Sequence, residues 1–349
     1  VANHAFLLDV VADVLGDRVA VGPRDGGLTY DDVRRRARAL GADVAGRGVD
    51  ALSYADANGV ANPVALFAAA WAGVPYAPVN YRLPEDQQQR LLARLGATYH
   101  VGPEAGAAWV AGVDGAPDSG AAYPDEPGRP AVLLFTSGTT AEPKSAILDH
   151  DNLLAYALNT NELASASEDD AVLLVVPPFH IAGVAGVLSA VFSGRRIVPV
   201  PRFTPEAWVD TALAEGVTHA FLVPTMLARI VALLRERGGV EVPTLRTLSY
   251  GGARMPVPVL EAALELFPNA GFVNAYGLTE TSATVTVLGP EEHREAYASA
   301  DPEVRARLGS AGRPVPGVEV EVIDAAGSPV APGHEGTIRI RGDQVSGRY

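Results

Sequence analysis

The chain has 349 residues, of which 48% are hydrophobic and 19% are charged, a composition that indicates a soluble globular protein of roughly two domains. Its net charge of -14 argues against binding to duplex nucleic acid, because such binding depends on cationic contacts to phosphate. There are no cysteines, so disulfides, thiolate metal sites and cysteine nucleophiles are excluded. No apolar run reaches the ~18 residues of a membrane span, and the first residues do not resemble a signal peptide. We therefore expect a cytoplasmic protein.

The first part of the chain contains helix patterns separated by irregular segments. Apolar residues at helical spacing predict a helix at residues 31–47, with Asp31 as its cap, and further helices at residues 63–72 and 85–95. Residues 102–130 are rich in Gly, Ala and Pro and lack periodicity, which predicts a surface excursion.

Beyond this excursion, short apolar strands alternate with amphipathic helices. Thr204 and Pro205 mark one helix start, as N-cap and first helical residue. The alternation predicts an α/β fold with a largely parallel sheet covered on both faces. The predicted strands at residues 132–135, 172–176, 196–200, 220–223 and 245–249 are followed by helices at residues 151–162, 181–192, 205–215, 225–236 and 257–267.

Ligands of parallel sheets bind beyond the carboxyl ends of the strands. Residues 136–145, 251–252 and 274–280 each follow a predicted strand, so we expect all of these segments at one edge of the sheet. After about residue 285, residues 319–323 and 337–341 alternate polar and apolar side chains, which predicts a small antiparallel sheet or partial barrel. We therefore divide the chain into an α/β core, residues 1–285, and a β-barrel-like subdomain, residues 286–349.

Lys144 is the only lysine among the 27 basic residues of the chain. A lysine kept in an arginine-rich sequence suggests a position that needs a compact ammonium group. It closes the hydroxyl-rich segment Thr136-Ser137-Gly138-Thr139-Thr140-Ala141-Glu142-Pro143-Lys144-Ser145, and a loop of this kind after a strand suits a polyphosphate. Pro143 stands where a P-loop needs glycine and has no N–H, which argues against a P-loop kinase or GTPase. A polar surface turn would explain the glycine and threonines but not the single lysine.

The loop resembles the phosphate loop of the adenylate-forming superfamily, which includes acyl-CoA synthetases, luciferases and peptide-synthetase adenylation domains. The resemblance is closest to acyl-CoA synthetases. It implies stacked, mostly parallel sheets covered by helices, followed by a small distorted antiparallel β-barrel. Other segments resemble family motifs in family order: residues 71–80, Pro177-Pro178-Phe179-His180, residues 249–256, Tyr276-Gly277-Leu278-Thr279-Glu280, residues 312–317 and residues 335–338.

The resemblance implies a role for each matching residue. Lys144 would add a positive charge beside the phosphates of ATP, Thr279 would donate to the α-phosphate and Glu280 would ligate Mg²⁺, a cation that prefers oxygen ligands. His180 would lie at the carboxylate site. Purely structural roles are the alternatives: a first-turn helix acid for Glu280, a capping residue for His180 and a sheet-end aromatic for Tyr276. The implied phosphate-binding residues are Thr136, Ser137, Gly138, Thr139 and Thr140, and the implied adenine and nucleotide site comprises Gly251, Gly252, Ala253, Asn274, Ala275, Tyr276 and Gly277.

The positions that shape the acyl pocket in the family are small or apolar here. Residues 179–186 contain no acidic side chain to pair with a substrate ammonium, so an apolar carboxylic acid is favoured over an amino acid. The implied reaction forms an acyl-adenylate and pyrophosphate from the acid and ATP, and the thiol of CoA then accepts the acyl group. These pocket positions are Ile181, Ala182, Gly183, Gly186, Pro224, Gly251, Ala275 and Gly277.

Two alternatives stay open. The chain could be an adenylation domain that loads a carrier protein, which differs only in the acceptor thiol. It could also be a degenerate, non-catalytic protein that binds an acyl group or nucleotide, because Ala141 and Ser145 replace loop glycines of the family. Full-length members continue past Tyr349 into a lid domain with a catalytic lysine. The resemblance therefore implies the large N-terminal domain alone, weak or inactive in the full reaction.

We expect Lys144→Ala to lower both the affinity for Mg-ATP and the rate of adenylation, because the point charge beside the phosphates is lost. Calorimetric titration with Mg-ATP and an adenylation assay measure the two effects. Wild-type affinity and rate in this variant would remove Lys144 from the phosphate site.

Overall fold

The structure is a computed structural model that describes residues 3–136, 144–239 and 242–348. Within these ranges, no helix has the length and apolar character to cross a membrane. The elements up to residue 160 are α1 (Ala5–Leu15), β1 (Val19–Val21), β2 (Leu28–Thr29), α2 (Tyr30–Gly46), β3 (Ala51–Tyr54), α3 (Ala61–Ala72), β4 (Tyr76–Pro78), α4 (Glu85–Ala93), β5 (Thr98–Val101), α5 (Gly106–Ala111), β6 (Pro130–Thr136), β7 (Lys144–Asp149) and α6 (His150–Thr160).

The remainder continues the alternation of strands and helices and ends in short antiparallel strands. Single 3₁₀ turns lie at Thr279–Thr281 and Ala306–Gly309. The elements are β8 (Ala171–Leu174), α7 (Ile181–Ser193), β9 (Arg196–Pro199), α8 (Pro205–Ala214), β10 (His219–Leu222), α9 (Pro224–Glu236), β11 (Thr247–Gly251), α10 (Val257–Leu266), β12 (Gly271–Leu278), β13 (Ala283–Leu288), α11 (Pro290–Ala298), α12 (Pro302–Arg305), β14 (Arg313–Pro314), β15 (Val318–Ile323) and β16 (Thr337–Gly342).

Two mixed sheets form the body of the protein. The larger has the order β14-β13-β12-β11-β10-β8-β9-β1-β2, in which the strands from β12 to β1 are parallel and the outer strands are antiparallel. The smaller has the order β5-β3-β4-β6-β7, and only its last pair, the hairpin of β6 and β7, is antiparallel. Strands β15 and β16 pair with each other as a separate antiparallel ribbon.

A central layer of helices separates the two sheets. Helices α1, α2, α3 and α7 share one apolar core with the facing strands of both sheets, including Leu52 of β3 and Ile197 of β9. Helices α8, α9 and α10 form a second core with the outer face of the larger sheet, where Leu248 and Tyr250 of β11 are fully buried. Because successive strand residues point to opposite faces, the alternate residues of β11 face the central layer.

The sequence prediction of α/β organisation is confirmed, with boundary shifts of a few residues. The N-cap prediction for α2 is wrong: Thr29 is the cap, and its hydroxyl accepts from the N–H of Asp32 over 3.1 Å. In return, the carboxylate of Asp32 accepts from the N–H of Thr29, which completes a capping box. The segment at residues 102–130 also contains the unpredicted helix α5.

The expectation that all ligand-binding segments share one edge is wrong in one respect. Lys144 begins β7 and pairs with Thr136 of β6, so both residues belong to the smaller sheet. The other segments lie at the carboxyl ends of β11 and β12 of the larger sheet. Strand β7 was not predicted from the sequence. The division at residues 285 and 286 stays a prediction, and β13 spans it.

A buried pair of histidines joins the starts of α1 and α6. The backbone N–H of His4 donates to Nδ1 of His150 over 3.3 Å, and the two Nδ1 atoms are 2.8 Å apart. Because Nδ1 of His150 is an acceptor in the first bond, the proton between the rings is on His4. Burial lowers the pKa of both imidazoles, and for His150 burial and the charge of Arg129 lower the pKa to about 4.

We expect the folded protein to lose stability as the pH falls from about 6.5 to about 4, because the unfolded chain binds a proton at His150 that the folded protein excludes. A pKa shift of this size corresponds to about 3 kcal/mol. Urea denaturation across this pH range should give a shallower pH dependence for His150→Gln than for the wild type. His334→Gln, at an exposed position, is the matched control. Equal pH dependence in His150→Gln and wild type would contradict the assignment.

Candidate active site

A cavity of about 1140 Å³ opens where the carboxyl ends of the two sheets meet and continues along the inner face of the larger sheet. Helix α7 faces this cavity with small side chains at helical spacing, which leaves room between helix and sheet. Ser249 of β11 and Phe221 of β10 lie on the opposite wall, on the face that alternates with the buried Tyr250 and Leu222. The lining residues of α7 are Ile181, Ala182, Ala185, Gly186, Ser189 and Ala190.

The structure brings most of the predicted site residues to the mouth of this cavity. Residues 137–143, which include the predicted Ser137, Gly138, Thr139 and Thr140, lie outside the described residues. Of the remaining nucleotide-site residues, Gly251, Ala253, Asn274 and Tyr276 adjoin lining residues without lining the cavity themselves. Predicted residues that line it are Thr136, Lys144, His180, Gly252, Ala275, Gly277, Thr279 and Glu280.

Asn274 and Tyr276 have structural contacts of their own. The side-chain amide of Asn274 donates to the carbonyl of Ser310 over 2.8 Å. Tyr276 packs against the apolar cluster of Val285, Val315 and Val318, which joins the larger sheet to the segment that follows β14. Their predicted roles toward adenine stay predictions. Of the predicted acyl-pocket positions, Gly183, Pro224 and Gly251 are outside the set of described lining residues.

The hairpin of β6 and β7 places a hydroxyl beside the lysine. Thr136 and Lys144 are directly opposite each other in the ladder, and the Thr136 hydroxyl donates to the Lys144 carbonyl over 3.4 Å. Lys144 is exposed at the mouth of the cavity. Ser145, which replaces a family glycine, pairs with Phe135 and has no positive φ angle, so its Cβ causes no backbone strain.

A strained turn carries Thr279 and Glu280. After the 3₁₀ turn, Ser282 and Ala283 have φ angles of 53° and 91°, a region that residues with a Cβ seldom adopt. The Thr281 hydroxyl stabilises the turn by accepting from the N–H of Leu278 over 2.9 Å. A Cβ on Gly277 would lie 1.4 Å from the carbonyl oxygen of Ala283, so the close return of the chain requires glycine there.

Residues 343–348, which we call the strap, connect this turn to β7. The buried amide of Gln344 donates to the carbonyls of Thr281 and Thr284 over 3.0 and 2.7 Å. The N–H of Ser346 donates to the carbonyl of Glu280 over 2.7 Å. On the other side, the Ser346 hydroxyl donates to the carbonyl of Ile147 in β7. The strap therefore holds the Thr279–Thr281 turn of the larger sheet against the hairpin of the smaller sheet.

The one acidic side chain among the described lining residues, Glu280, fits a cation that is also bound by phosphate. Across the described ranges, no group of three or more His, Cys, Asp or Glu residues could hold a metal ion. Glu280 supplies one carboxylate at the cavity mouth, and Mg²⁺ is commonly bound by one or two carboxylates together with substrate phosphates. Glu280 thus fits the predicted role without a preformed cage.

His180 stands at the rim of the cavity, at the N-cap position of α7. Its ring centroid is 4.7 Å from that of Phe179. Partial burial lowers the pKa of the His180 imidazole, and the charge of Arg82 lowers it further. At neutral pH the imidazole is therefore uncharged and can donate one hydrogen bond to a substrate carboxylate.

Sequence reasoning missed functional candidates at both ends of the cavity. Gln344 and Ser346 of the strap carry no motif, and their importance depends on contacts with residues far away in sequence. Arg195 and His219 line the inner end of the cavity, at the amino ends of β9 and β10. This is the edge opposite to the one where ligands of parallel sheets are expected, so no sequence signal pointed to them.

Comparison with known proteins identifies the family. The chain belongs to the AMP-binding enzyme family, which matches residues 8–349. A feruloyl-CoA synthase from Amycolatopsis sp is 32% identical over 349 residues, covering 95% of this chain and 68% of the relative. The fatty acid–acyl-carrier-protein ligase ScoC from Streptomyces coeruleorubidus is 29% identical over 344 residues, covering 89% of this chain and 63% of the relative.

A solved structure shares the fold over nearly the whole chain. O-succinylbenzoate CoA synthetase from Bacillus subtilis, in complex with AMP, has a TM-score of 0.78 at 23% identity, covering 99% of this chain and 70% of that chain. The family resemblance and the α/β fold that were predicted from the sequence are thus confirmed. The chain spans between 63% and 68% of the length of the two relatives described above.

We expect Gln344→Met to lower the free energy of unfolding by about 1–3 kcal/mol, because buried carbonyls lose their donor while side-chain volume is kept. The affinity for AMP should fall as well, since the turn that carries Thr279 and Glu280 loses its attachment. Urea denaturation and calorimetric titration with AMP measure both effects. Gln89→Met, at an exposed position of α4, is the matched control. Unchanged stability and affinity in Gln344→Met would show that the strap does not hold the turn.

Proposed function

We propose that this chain binds ATP and an apolar carboxylic acid and activates the acid as an acyl-adenylate, with release of pyrophosphate. In the full-length protein, the acyl group then passes to the thiol of CoA. The observation that carries the proposal is the continuous cavity. Its mouth has a lysine, hydroxyls and a carboxylate, and it leads directly into a channel with small and apolar walls.

The mouth can orient a triphosphate. Lys144 and Thr136 approach from the smaller sheet, and Thr279 and Glu280 approach from the larger sheet. Glu280 would hold Mg²⁺, which neutralises phosphate charge when it is bound. Thr279 would donate to the α-phosphate while the substrate carboxylate attacks it in line and pyrophosphate leaves. Catalysis of this kind depends on positioning and on stabilisation of developing charge, which the strap supports by fixing the turn.

The adenine ring would lie between Tyr276 and the backbone of Gly251, Gly252 and Ala253. The amide nitrogen of Asn274 already donates to Ser310, which leaves its carbonyl oxygen to accept from the adenine amino group. A Cβ on Gly251 would lie 2.2 Å from the carbonyl oxygen of Ala275, so glycine is needed for the close approach of β11 and β12 beside this site.

The channel supports an apolar acid as the substrate. Glu280 is the only acidic side chain among the described residues that line the cavity, and it lies at the mouth. A substrate ammonium would be buried without a partner inside the channel, which is costly. His180, uncharged at neutral pH, would lie beside the reacting carboxylate.

A second candidate is transfer of the acyl group to a carrier protein instead of CoA. The similarity to the carrier-protein ligase ScoC favours it, and the proposed adenylation step is the same for both acceptors. The degenerate binding protein is less well supported, because Ser145 is accommodated in β7 without backbone strain.

The test is ATP–pyrophosphate exchange with the protein as the gene encodes it, against a panel of carboxylic acids. We expect exchange that depends on an apolar acid, and Glu280→Gln should lower it by a factor on the order of 100. Glu291→Gln, at an exposed position of α11, is the matched control. Absence of exchange with every acid, together with retained binding of acyl-adenylate analogues, would favour the non-catalytic binding protein.

A further inference from the structure

The inner end of the cavity is polar, in contrast to its walls. Arg195 immediately precedes β9 and His219 begins β10, so both lie at the amino ends of parallel strands. The mouth lies beyond the carboxyl ends of the same strands, near Val223. At the rise of a β-strand, the span from His219 to Val223 places the two ends on the order of 10 Å apart.

Arg195 is a cation without a partner at this inner end. Within the described residues, its guanidinium makes no hydrogen bond or ion pair, and its Nε is shielded from solvent. Burial lowers the pKa of the Arg195 guanidinium, whereas Asp170 and then Tyr30 raise it. Asp170 is already engaged, because it accepts from Arg246 over 2.9 Å and from the N–H of Ser167 over 3.0 Å. Arg195 and Arg246 therefore share one neighbouring carboxylate, Asp170.

His219 adds a second group that is available to a ligand. Its Nδ1 lies 2.7 Å from the hydroxyl of Thr218. Burial and then the charge of Arg195 lower the pKa of the His219 imidazole to about 4, so it is neutral at pH 7. The single proton of the Thr218 hydroxyl has two acceptors within reach, Nδ1 of His219 and the carbonyl of Ala171 at 3.1 Å. In the tautomer whose ring proton is on Nε2, Thr218 donates to Nδ1, and Nε2 has no partner in the part of the chain that the structure describes. His219 can then donate into the cavity.

Several other polar side chains that line the cavity already have partners. The amide nitrogen of Asn161 donates to the hydroxyls of Thr160 and Ser189 over 2.9 and 3.2 Å. Tyr156 lies 3.2 Å from the same Ser189 hydroxyl. Arg195 is therefore the charged group at this end, beside the imidazole of His219 and the hydroxyl of Thr247, which is opposite His219 in the sheet.

We propose that the acid activated at this site has a second carboxylate at the far end of its apolar body, bound by Arg195 and His219. A substrate with an apolar tail would leave the guanidinium desolvated and unpaired, whereas a carboxylate accepts two parallel bonds from it. The two carboxylates of the substrate would be on the order of 10 Å apart, one at each end of the channel. This inference rests on the proposed function, since it refines the substrate of the same site.

The test compares two non-hydrolysable acyl-adenylate analogues, the sulfamoyl adenosines of octanoic acid and of suberic acid. These acyl chains have equal length, and only the second ends in a carboxylate. Calorimetric titration of the wild type should give tighter binding of the suberoyl analogue by roughly 10- to 100-fold, the range for a hydrogen bond to a charged group. Arg195→Gln should remove this preference while octanoyl binding is kept, which also shows that the variant is folded.

Further variants distinguish the effect of the Arg195 charge from other effects of substituting an arginine. Arg195→Lys should keep part of the preference, because it retains the positive charge. Arg202→Gln, which removes an exposed arginine that does not line the cavity, should keep all of it. Tighter or equal binding of the octanoyl analogue by the wild type would overturn the second carboxylate and leave the proposed function standing. If neither analogue binds and AMP does not bind either, both the second carboxylate and the proposed function are overturned.

Discussion

The contact between the carboxyl ends of the two sheets is the constraint on which the site depends. Lys144 belongs to the smaller sheet, whereas Thr279 and Glu280 follow a strand of the larger one. A layer of helices separates these sheets, so no local structure brings the groups together. The strap joins them at the mouth, through Gln344 and Ser346 on one side and β7 on the other. Those bonds bring the residues that we propose for phosphate binding to one cavity mouth.

The periods of β-strand and α-helix decide which residues form the walls of the rest of the cavity. The period of two along β11 buries Leu248 and Tyr250 in the outer core and leaves Thr247 and Ser249 for the cavity. The helical period brings the small side chains of α7 to the facing wall. Helix α7 and the strands of the larger sheet form the two walls. The channel therefore runs between them from the mouth to the amino ends of the strands, where Arg195 and His219 lie.

Local sequence signals predicted where helices and strands form better than they predicted which elements pack or pair together. Thr204 and Pro205 were correctly assigned as the start of α8, because a cap and a first-turn proline act within one turn. The α2 cap was misassigned by two residues, since several polar residues near that helix start compete for the position. The prediction of a single shared edge was wrong because β6 pairs with β4 of the smaller sheet, and a pairing between strands so far apart in the sequence leaves no local signal.

The sequence by itself determined the family and the order of its motifs, because those residues are contiguous and their spacing carries the pattern. It also led to the prediction of Lys144, Thr279 and Glu280, which the structure places at one cavity mouth. Only the tertiary structure decided that Gln344 would hold the turn and that the Nε of Arg195 would have no hydrogen-bond partner among the described residues. The physical reason is that burial and hydrogen-bond satisfaction depend on neighbours that are distant in sequence.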